Sequence, residues 1–264
     1  FRSYIFIPKM TSIHKKEYCC PKHIGLPDMI KNNIRNLPPL IDTEINLKKS
    51  HKNIKSSVFH IGKHFKKNSK TIAEAFQKAY RQYQEYIEMT TSKIIPIDIN
   101  TKYKELSYIT NVKKENYGRR IMVLGHSYNI YDYYINMDLI SKLNKRRFDV
   151  VTAEMVKENR SREYAARLPK RMFWTHGQRI VGSAFALIEE KSISGIVYVS
   201  AFGCGLDSVL IDLIERKAKE NRIPFTLLTL DEQTGEAGIN TRVEAFIDML
   251  EWRNRDEIDL STHG

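Results

Sequence analysis

The feature that most constrains the fold of this chain is a regular alternation of apolar runs with amphipathic segments after residue 118. Each apolar run is short enough for a buried strand, and the segments between them space apolar residues three and four positions apart. Strands that alternate with helices in this way form parallel βαβ units with right-handed crossovers. The predicted strands are 120–125, 148–151, 195–201 and 224–230, and the predicted helices are 136–143, 174–190, 206–221 and 241–252. We therefore predict a four-stranded parallel sheet flanked by helices.

Three loops follow strands of this predicted sheet, and all three are polar and rich in glycine. They cover residues 125–132, 201–208 and 231–238. In open parallel sheets, ligands bind beyond the carboxyl ends of the strands. The three loops therefore mark the edge of the sheet where we expect a functional site.

The N-terminal part of the chain shows weaker patterns. Residues 4–8 predict a short strand, residues 26–34 a helix that Pro38 and Pro39 terminate, and residues 71–89 a long helix. Phe1 opens directly on strand-like sequence, so we expect the chain to begin inside a domain. The predicted organisation is a first α/β domain over 1–90, a linker over 91–117, a second domain over 118–255 and a tail over 256–264.

Cysteine content and hydropathy indicate in which cellular compartment the chain is expected. The chain has three cysteines, Cys19, Cys20 and Cys204, which are too few for a disulfide scaffold. A reducing, cytoplasmic compartment is the simpler interpretation. No run approaches the roughly 18 apolar residues of a membrane-spanning helix, so we expect no membrane association.

Positive charge is concentrated in the first part of the chain. Residues 1–120 carry 24 Lys and Arg against 10 Asp and Glu, whereas residues 121–264 carry 19 against 21. A basic region can indicate nucleic-acid binding. We disfavour that interpretation, because the composition is rich in Lys, Ile and Tyr throughout and the lysines are interleaved with polar residues. A basic cleft that attracts an anionic ligand such as coenzyme A is also compatible.

Cys204 is the strongest candidate for a metal ligand. Gly203 and Gly205 flank it directly after a predicted strand, and glycines let the backbone approach a bulky group with its amides exposed. The alternative is a small cysteine buried in a tight turn. Cys20 precedes Pro21 and the predicted helix, and Cys-Pro pairs are common beside iron–sulfur clusters. Cys19 is interpreted as incidental.

His126 and Tyr128 on the first loop are candidate cofactor-binding residues, with a simple turn role for His126 as the alternative. On the third loop, Asp231, Glu232 and Glu236 could act as an acid–base pair, but we favour helix capping and dipole complementarity. The chain contains no P-loop, no Gly-x-Gly-x-x-Gly fingerprint and no Gly-x-Ser-x-Gly elbow. These absences count against a P-loop nucleotide site, a dinucleotide fold and a nucleophile-elbow hydrolase.

Four motifs together resemble one family, the acyl-CoA dehydratase activase-related proteins, whose cluster-bearing half is similar to the catalytic component of 2-hydroxyacyl-CoA dehydratases. The motifs appear in the family's order and span nearly the whole chain. They are Cys-Pro-Lys-His-Ile-Gly-Leu-Pro at 20–27, Gly-His-Ser-Tyr-Asn-Ile-Tyr-Asp at 125–132, Phe-Gly-Cys-Gly-Leu-Asp-Ser at 202–208 and Asp-Glu-Gln-Thr-Gly-Glu-Ala-Gly at 231–238.

The resemblance implies two Rossmann-like α/β domains, the N-terminal one incomplete, that hold a [4Fe-4S]-type cluster. Cys20 and Cys204 occupy the family's cysteine positions, and the resemblance implies that they converge on the same cluster. Two departures from the family pattern stand out. A further cysteine, in a Cys-x-Pro-x-Lys type motif, would precede this sequence, and Gln233 replaces the family's usual His.

The same resemblance implies a function. In the family, an ATP-hydrolysing activase supplies an electron, which the cluster passes to the thioester of a 2-hydroxyacyl-CoA so that water is lost through a ketyl radical. We expect such a lyase or its redox component, with an activase or a chain carrying the further cysteine as partner and an acyl-CoA as ligand. The alternative hypothesis is a truncated or degenerate α/β module without a cluster, serving as an interaction domain or without function.

Overall fold

The computed structural model describes residues 3–50, 52–92, 95 and 117–262. The chain divides into two compact units. The first comprises residues 1–88 and 169–178, and the second comprises residues 89–168 and 179–264. One boundary falls within a continuous helix, Thr175–Glu189. The predicted linker, residues 91–117, lies outside the described residues apart from positions 91, 92, 95 and 117.

The second unit contains the predicted four-stranded sheet. Its strands are β5 (Arg120–Gly125), β6 (Asp149–Thr152), β7 (Gly195–Ala201) and β8 (Phe225–Leu230). They lie in the order β6-β5-β7-β8, and every neighbouring pair is parallel. The α/β class with parallel sheets is therefore confirmed, and the sheet is consistent with a Rossmann-like fold.

The two central strands are apolar because both of their faces are covered. Residues 121–124 of β5 and residues 196–198 of β7 have no solvent exposure. Strands buried on both faces read as continuous apolar runs rather than as alternating patterns. This is why the sequence predicts both strands nearly to the residue. The edge strand β8 is only partly buried.

Among its described residues, the second unit has six α-helices where four helices were predicted, and two of the four, Thr175–Glu189 and Gly205–Glu220, match their predicted bounds to within one residue. Glu158–Ala165 was not predicted, because it is strongly polar. Residues 136–138 are not helical, since Met137 and Asp138 adopt left-handed backbone angles before the helix begins. The last helix runs through most of the segment predicted as a tail. The observed helices are Ser127–Ile130, Leu139–Lys145, Glu158–Ala165, Thr175–Glu189, Gly205–Glu220 and Glu236–Thr262.

The first unit is built from much shorter strands. Two separate parallel pairs form, β1 (Ile5–Phe6) with β3 (Leu40–Ile41) and β2 (Lys9–Ser12) with β4 (Glu44–Asn46). The strand predicted at 4–8 is thus shorter than predicted, since only Ile5–Phe6 is a strand and it ends before Pro8, which has no backbone N–H for a ladder. The helices are Pro21–Asn33, Asn53–His64 and Ser69–Thr91.

Two features of the first unit depart from the predicted elements. The first helix begins at Pro21 rather than near Leu26, with Cys20 as its N-cap. Asn53–His64 is a helix in a polar, basic segment for which none was predicted, and Ser57 on it donates a 2.7 Å hydrogen bond to the carbonyl of Glu44. Within the described residues, no helix has both the length and the apolar content to cross a membrane.

Candidate functional site

The strand order of the second unit creates one point where two successive connections leave the sheet in opposite directions. The chain passes from β5 outward to β6 and then returns to the other side of β5 as β7. A crevice forms at such a switch point, outside the carboxyl ends of the two central strands. The loops after Gly125 and Ala201 therefore meet at the position where ligands bind in folds of this kind.

A glycine at the end of β5 directs the first loop. Gly125 has a φ of +141°, and a Cβ at this position would lie 2.2 Å from the carbonyl oxygen of Val199 on β7. Only glycine permits this close approach. His126 follows as the N-cap of the single turn Ser127–Ile130 and is 4% exposed.

The second loop presents Cys204 beside open space. Gly203 has a φ of +72°, and Cys204 is the N-cap of the helix Gly205–Glu220. Beyond its neighbours in the chain and its helix backbone, a Cβ added at Gly203 or at Gly205 would meet no heavy atom within 4 Å. The thiol, which is half-buried, is a free thiol. This loop therefore leaves room for a bulky group next to a cysteine sulfur.

Asp207, in the first turn of that helix, is the most buried charged group of the site. It has no solvent exposure. Tyr198 donates a hydrogen bond of 2.8 Å to Oδ1, and Ser200 donates one of 2.9 Å to Oδ2. The Nε2 atom of His126 lies 3.4 Å from Oδ1. Both loops are thus tied to one carboxylate.

The pKa values of this group reflect burial and its partners. Burial alone would raise the pKa of Asp207, but hydrogen bonds from His126, Tyr198 and Ser200 outweigh it and the pKa is lowered. Burial, and then the neighbouring Asp207 charge, raise the pKa of Tyr198 well above its ordinary value. The site therefore favours a charged carboxylate held by neutral hydroxyl donors.

The Cys204 thiol experiences opposing effects. Burial raises its pKa, and the charge of Asp207 adds to that rise. Backbone amides of Leu206 and Asp207 hydrogen-bond the sulfur and act in the opposite direction. A bound cation would offset both the desolvation and the carboxylate charge, so the thiolate form suits a metal ligand better than an isolated nucleophile.

The donor set fits a metal-containing group. One ligand atom from each of His126, Cys204 and Asp207 lies within 4.8 Å of the other two. Open space, a sulfur and amide donors are also what an iron–sulfur cluster requires of its surroundings. The predicted residues Gly203, Gly205, Cys204 and His126 are thereby brought together in one unit.

Tyr128 joins this group through its ring. It stacks on His126 with ring centroids 5.2 Å apart and an interplanar angle of 2°, and it is 46% exposed. It thus extends the buried histidine toward solvent. That His126 and Tyr128 bind a cofactor stays a prediction.

The sequence interpretation assigned no role to four residues that build the site. Asp207, Tyr198 and Ser200 form the hydrogen-bonded network, and Glu154 accepts hydrogen bonds from Ser127 (3.0 Å) and Tyr131 (2.7 Å) on the first loop. Tyr198 and Ser200 are two residues apart on β7, and side chains at that spacing share a face of a strand. The sequence signal for this network was a tyrosine and a serine on one face of a buried strand, followed by an aspartate.

Cys20 and Cys19 belong to the first unit. Cys20 is half-buried at the start of its helix, ahead of Pro21. Cys19 is 1% exposed, its amide donates to Thr11, and burial raises the pKa of its thiol to about 11. An inert, buried thiol at Cys19 agrees with its interpretation as incidental. The joint role of Cys20 and Cys204 stays a prediction.

The third loop is occupied by local contacts. Asp231 accepts hydrogen bonds from the amide of Gln233 (2.9 Å) and the hydroxyl of Thr234 (2.7 Å). Glu236, in the first turn of the last helix, pairs with Lys142 at 2.7 Å. These contacts support the structural interpretation of the acidic loop residues over an acid–base pair.

Comparison with known proteins agrees with the resemblance. Residues 2–156, more than half of the chain, match the family model of the CoA enzyme activase uncharacterised domain (DUF2229). The match includes Cys20 and His126 and ends before β7. No curated protein matches the chain. On the extent of the family match, the chain belongs to the CoA enzyme activase uncharacterised domain family.

Proposed function

We propose that this chain is an iron–sulfur protein of a 2-hydroxyacyl-CoA dehydratase system, acting in low-potential electron transfer or in radical dehydration of an acyl-CoA. The observation that carries the proposal is Cys204, a free thiol at the switch point of the parallel sheet. The glycines on either side of it border open space, and the backbone at Leu206 and Asp207 acts to lower the pKa of its thiol, against the effect of burial.

The proposed ligands are the thiolates of Cys204 and Cys20, and the group is a [4Fe-4S]-type cluster. When bound, such a cluster supplies single electrons at low potential. The chain's own residues shape the surroundings of the proposed cluster. The loop glycines keep the space beside them clear, and Asp207 fixes the position of His126. Tyr128, stacked on His126 and half exposed, is proposed with His126 to contact the cofactor.

The proposed partner is an ATP-hydrolysing activase, which provides the electron. Family membership supports a link to CoA-enzyme activation. The net positive charge of residues 1–120 supports attraction of an anionic CoA thioester. A binding test with coenzyme A, repeated at rising salt, measures that attraction because exposed charges are screened by salt.

Anaerobic reconstitution with iron and sulfide tests the proposal. The parent chain should gain iron, sulfide and visible absorption, and Cys204→Ser and Cys20→Ser should each lose most of them, since a hydroxyl is a poor ligand for a soft iron–sulfide core. Cys19→Ser is the matched control and should behave as the parent. If both ligand variants bind iron and sulfide as the parent does, the cluster proposal fails and an interaction module without a cluster is the better account.

A further inference from the structure

The second unit carries a set of three different metal-binding side chains on its own. His126 contributes an imidazole nitrogen, Cys204 a sulfur and Asp207 a carboxylate oxygen, and these atoms lie within 4.8 Å of one another. They come from both loops at the switch point of the sheet, far apart in sequence and joined by the pairing of β5 with β7.

The spacing of these atoms suits one ion better than several. A tetrahedral ion with bonds of about 2.0–2.3 Å holds its ligand atoms about 3.3–3.8 Å apart. Atoms already within 4.8 Å reach that spacing by small side-chain movements. Thiolates that bind different irons of a cubane are instead roughly 6–7 Å apart, given metal–sulfur bonds of about 2.3 Å.

We propose that His126, Cys204 and Asp207 bind a single divalent ion of the zinc class, without any contribution from Cys20. The proposal goes beyond the iron–sulfur function. Both use the Cys204 sulfur, so a single ion and a cluster are alternative occupants of this side of the sheet.

The chemistry of the donors selects the ion. Sulfur and imidazole suit zinc and other late divalent transition metals, whereas magnesium and calcium prefer oxygen ligands. A carboxylate has about four acceptor positions, so Asp207 can bind an ion and keep its hydrogen bonds from Tyr198 and Ser200. Such partners fix the orientation of a ligating group.

The three side chains leave one of the four positions of a tetrahedral ion to another ligand. The glycines that flank Cys204 are open: a Cβ added at either would meet no heavy atom within 4 Å beyond its neighbours in the chain and its helix backbone. Three protein ligands with one open position are typical of zinc sites that act on a bound water or substrate. The chemical class of that fourth ligand is a water or an anionic oxygen donor.

Cobalt titration of the 264-residue Cys20→Ser chain, kept reduced and treated with a chelator, tests the proposal. We expect one cobalt ion per chain, a sulfur-to-cobalt charge-transfer band, and displacement by zinc.

In the parent background, Cys204→Ser should abolish the band. His126→Asn should weaken binding by more than about 100-fold, since loss of an outer partner alone costs about 10- to 100-fold. His60→Asn, at an exposed histidine of the first unit, is the matched control and should bind as the parent.

Two results would overturn the proposal. One is loss of the cobalt band in Cys20→Ser to the extent seen in Cys204→Ser, which would mean that Cys20 is a ligand. The other is normal binding by His126→Asn or by a folded Asp207→Asn, with folding checked by circular dichroism. Because cluster reconstitution depends on Cys20 and single-ion binding does not, failure of one leaves the other measurable.

Discussion

Both units of this chain contain parallel strand pairs, but the units differ in the length and number of strands that pair. In the second unit, four strands of four to seven residues form one sheet, and its central strands are fully buried. In the first, strands of two to four residues form two separate pairs. Continuous pairing of long strands is what brings His126 and Cys204 together, because residues 78 positions apart in sequence meet only through β5 and β7.

The difference also concerns where stability resides. Most of the buried apolar side chains of the described residues belong to the second unit, and the first contributes few, among them Cys19, Ile41 and Leu47. Regions with few buried apolar contacts open locally at lower free energy than a large core. We therefore expect the Cys204 site to be lost only when the second unit unfolds, and the Cys20 segment to open more readily.

Truncation of one core side chain in each unit gives the largest expected effect. Ile121→Ala on β5 and Ile41→Ala on β3 both remove a side chain with no exposure. Each should cost about 2–5 kcal/mol within its unit. Hydrogen exchange should show that Ile121→Ala exposes amides of β5 and β7, whereas Ile41→Ala exposes amides of the first unit alone. Equal loss of protection in both units from either variant would contradict separate stabilities.

Removal of a buried hydroxyl tests whether the Asp207 network stabilises the second unit. Tyr198→Phe deletes the 2.8 Å hydrogen bond to Asp207 and leaves a buried carboxylate short of a donor. The free energy of unfolding should fall by about 1–3 kcal/mol. Tyr133→Phe, at a side chain that is 71% exposed, is the control and should change stability by less than about 0.5 kcal/mol. The network has no structural role if denaturant midpoints of the two variants coincide.

Alanine variants of Gly125 and Gly203 should differ in stability, because a side chain at Gly125 would clash with the neighbouring backbone and one at Gly203 would not. Gly203→Ala places a Cβ in clear space and should cost about 1–2 kcal/mol, from its left-handed backbone angle alone. Gly125→Ala should cost more than Gly203→Ala, because its Cβ would lie 2.2 Å from the Val199 carbonyl. Urea denaturation of the two variants measures the difference, and the reverse ranking would contradict the described turn.

Exposed ion pairs in the two units should give the smallest effects. A hydrogen bond from Lys217, followed by the charges of Lys217 and Arg167, lowers the pKa of Glu189, and a hydrogen bond from Lys31 lowers the pKa of Asp42. A carboxylate with a lowered folded-state pKa stabilises the protein above its unfolded pKa, and this stabilisation is lost as pH falls through the folded pKa.

Glu189→Gln and Asp42→Asn should therefore each reduce stability at neutral pH by less than about 1 kcal/mol. The difference from the parent should shrink as the pH falls below the ordinary pKa of the carboxyl group. Thermal unfolding across an acidic pH series measures this trend. A difference that grows on acidification would have the wrong sign.

The same comparison explains which strands and helices could be predicted from the sequence. Strands buried on both faces leave continuous apolar runs, so β5 and β7 were predicted from sequence to the residue. The edge strands β6 and β8 were predicted as well, because their runs are also largely apolar. Helix Asn53–His64 was missed although Ile54, Val58 and Ile61 recur four and three positions apart, because polar and basic residues surround them. Glu158–Ala165 was missed because it is almost entirely polar, and a helix without an apolar stripe carries little signal of its own.

The site was predicted in part for an equally physical reason. The glycines around Cys204 and the loop position of His126 are local signals. The contact of His126 with Asp207 depends on the pairing of two strands and on a buried network, which a linear pattern does not encode. The family resemblance was carried by motifs, and the match over residues 2–156 confirms it at the level of the family.

The central claim is that Cys204 is a metal-binding thiolate, and alkylation footprinting tests it most directly. The parent chain is treated with iodoacetamide before and after anaerobic reconstitution, and each cysteine peptide is quantified by mass spectrometry. We expect Cys204 and Cys20 to be labelled before reconstitution and protected after it, with buried Cys19 labelled slowly in both states. Equal labelling of Cys204 in both samples, despite bound iron, would contradict the claim.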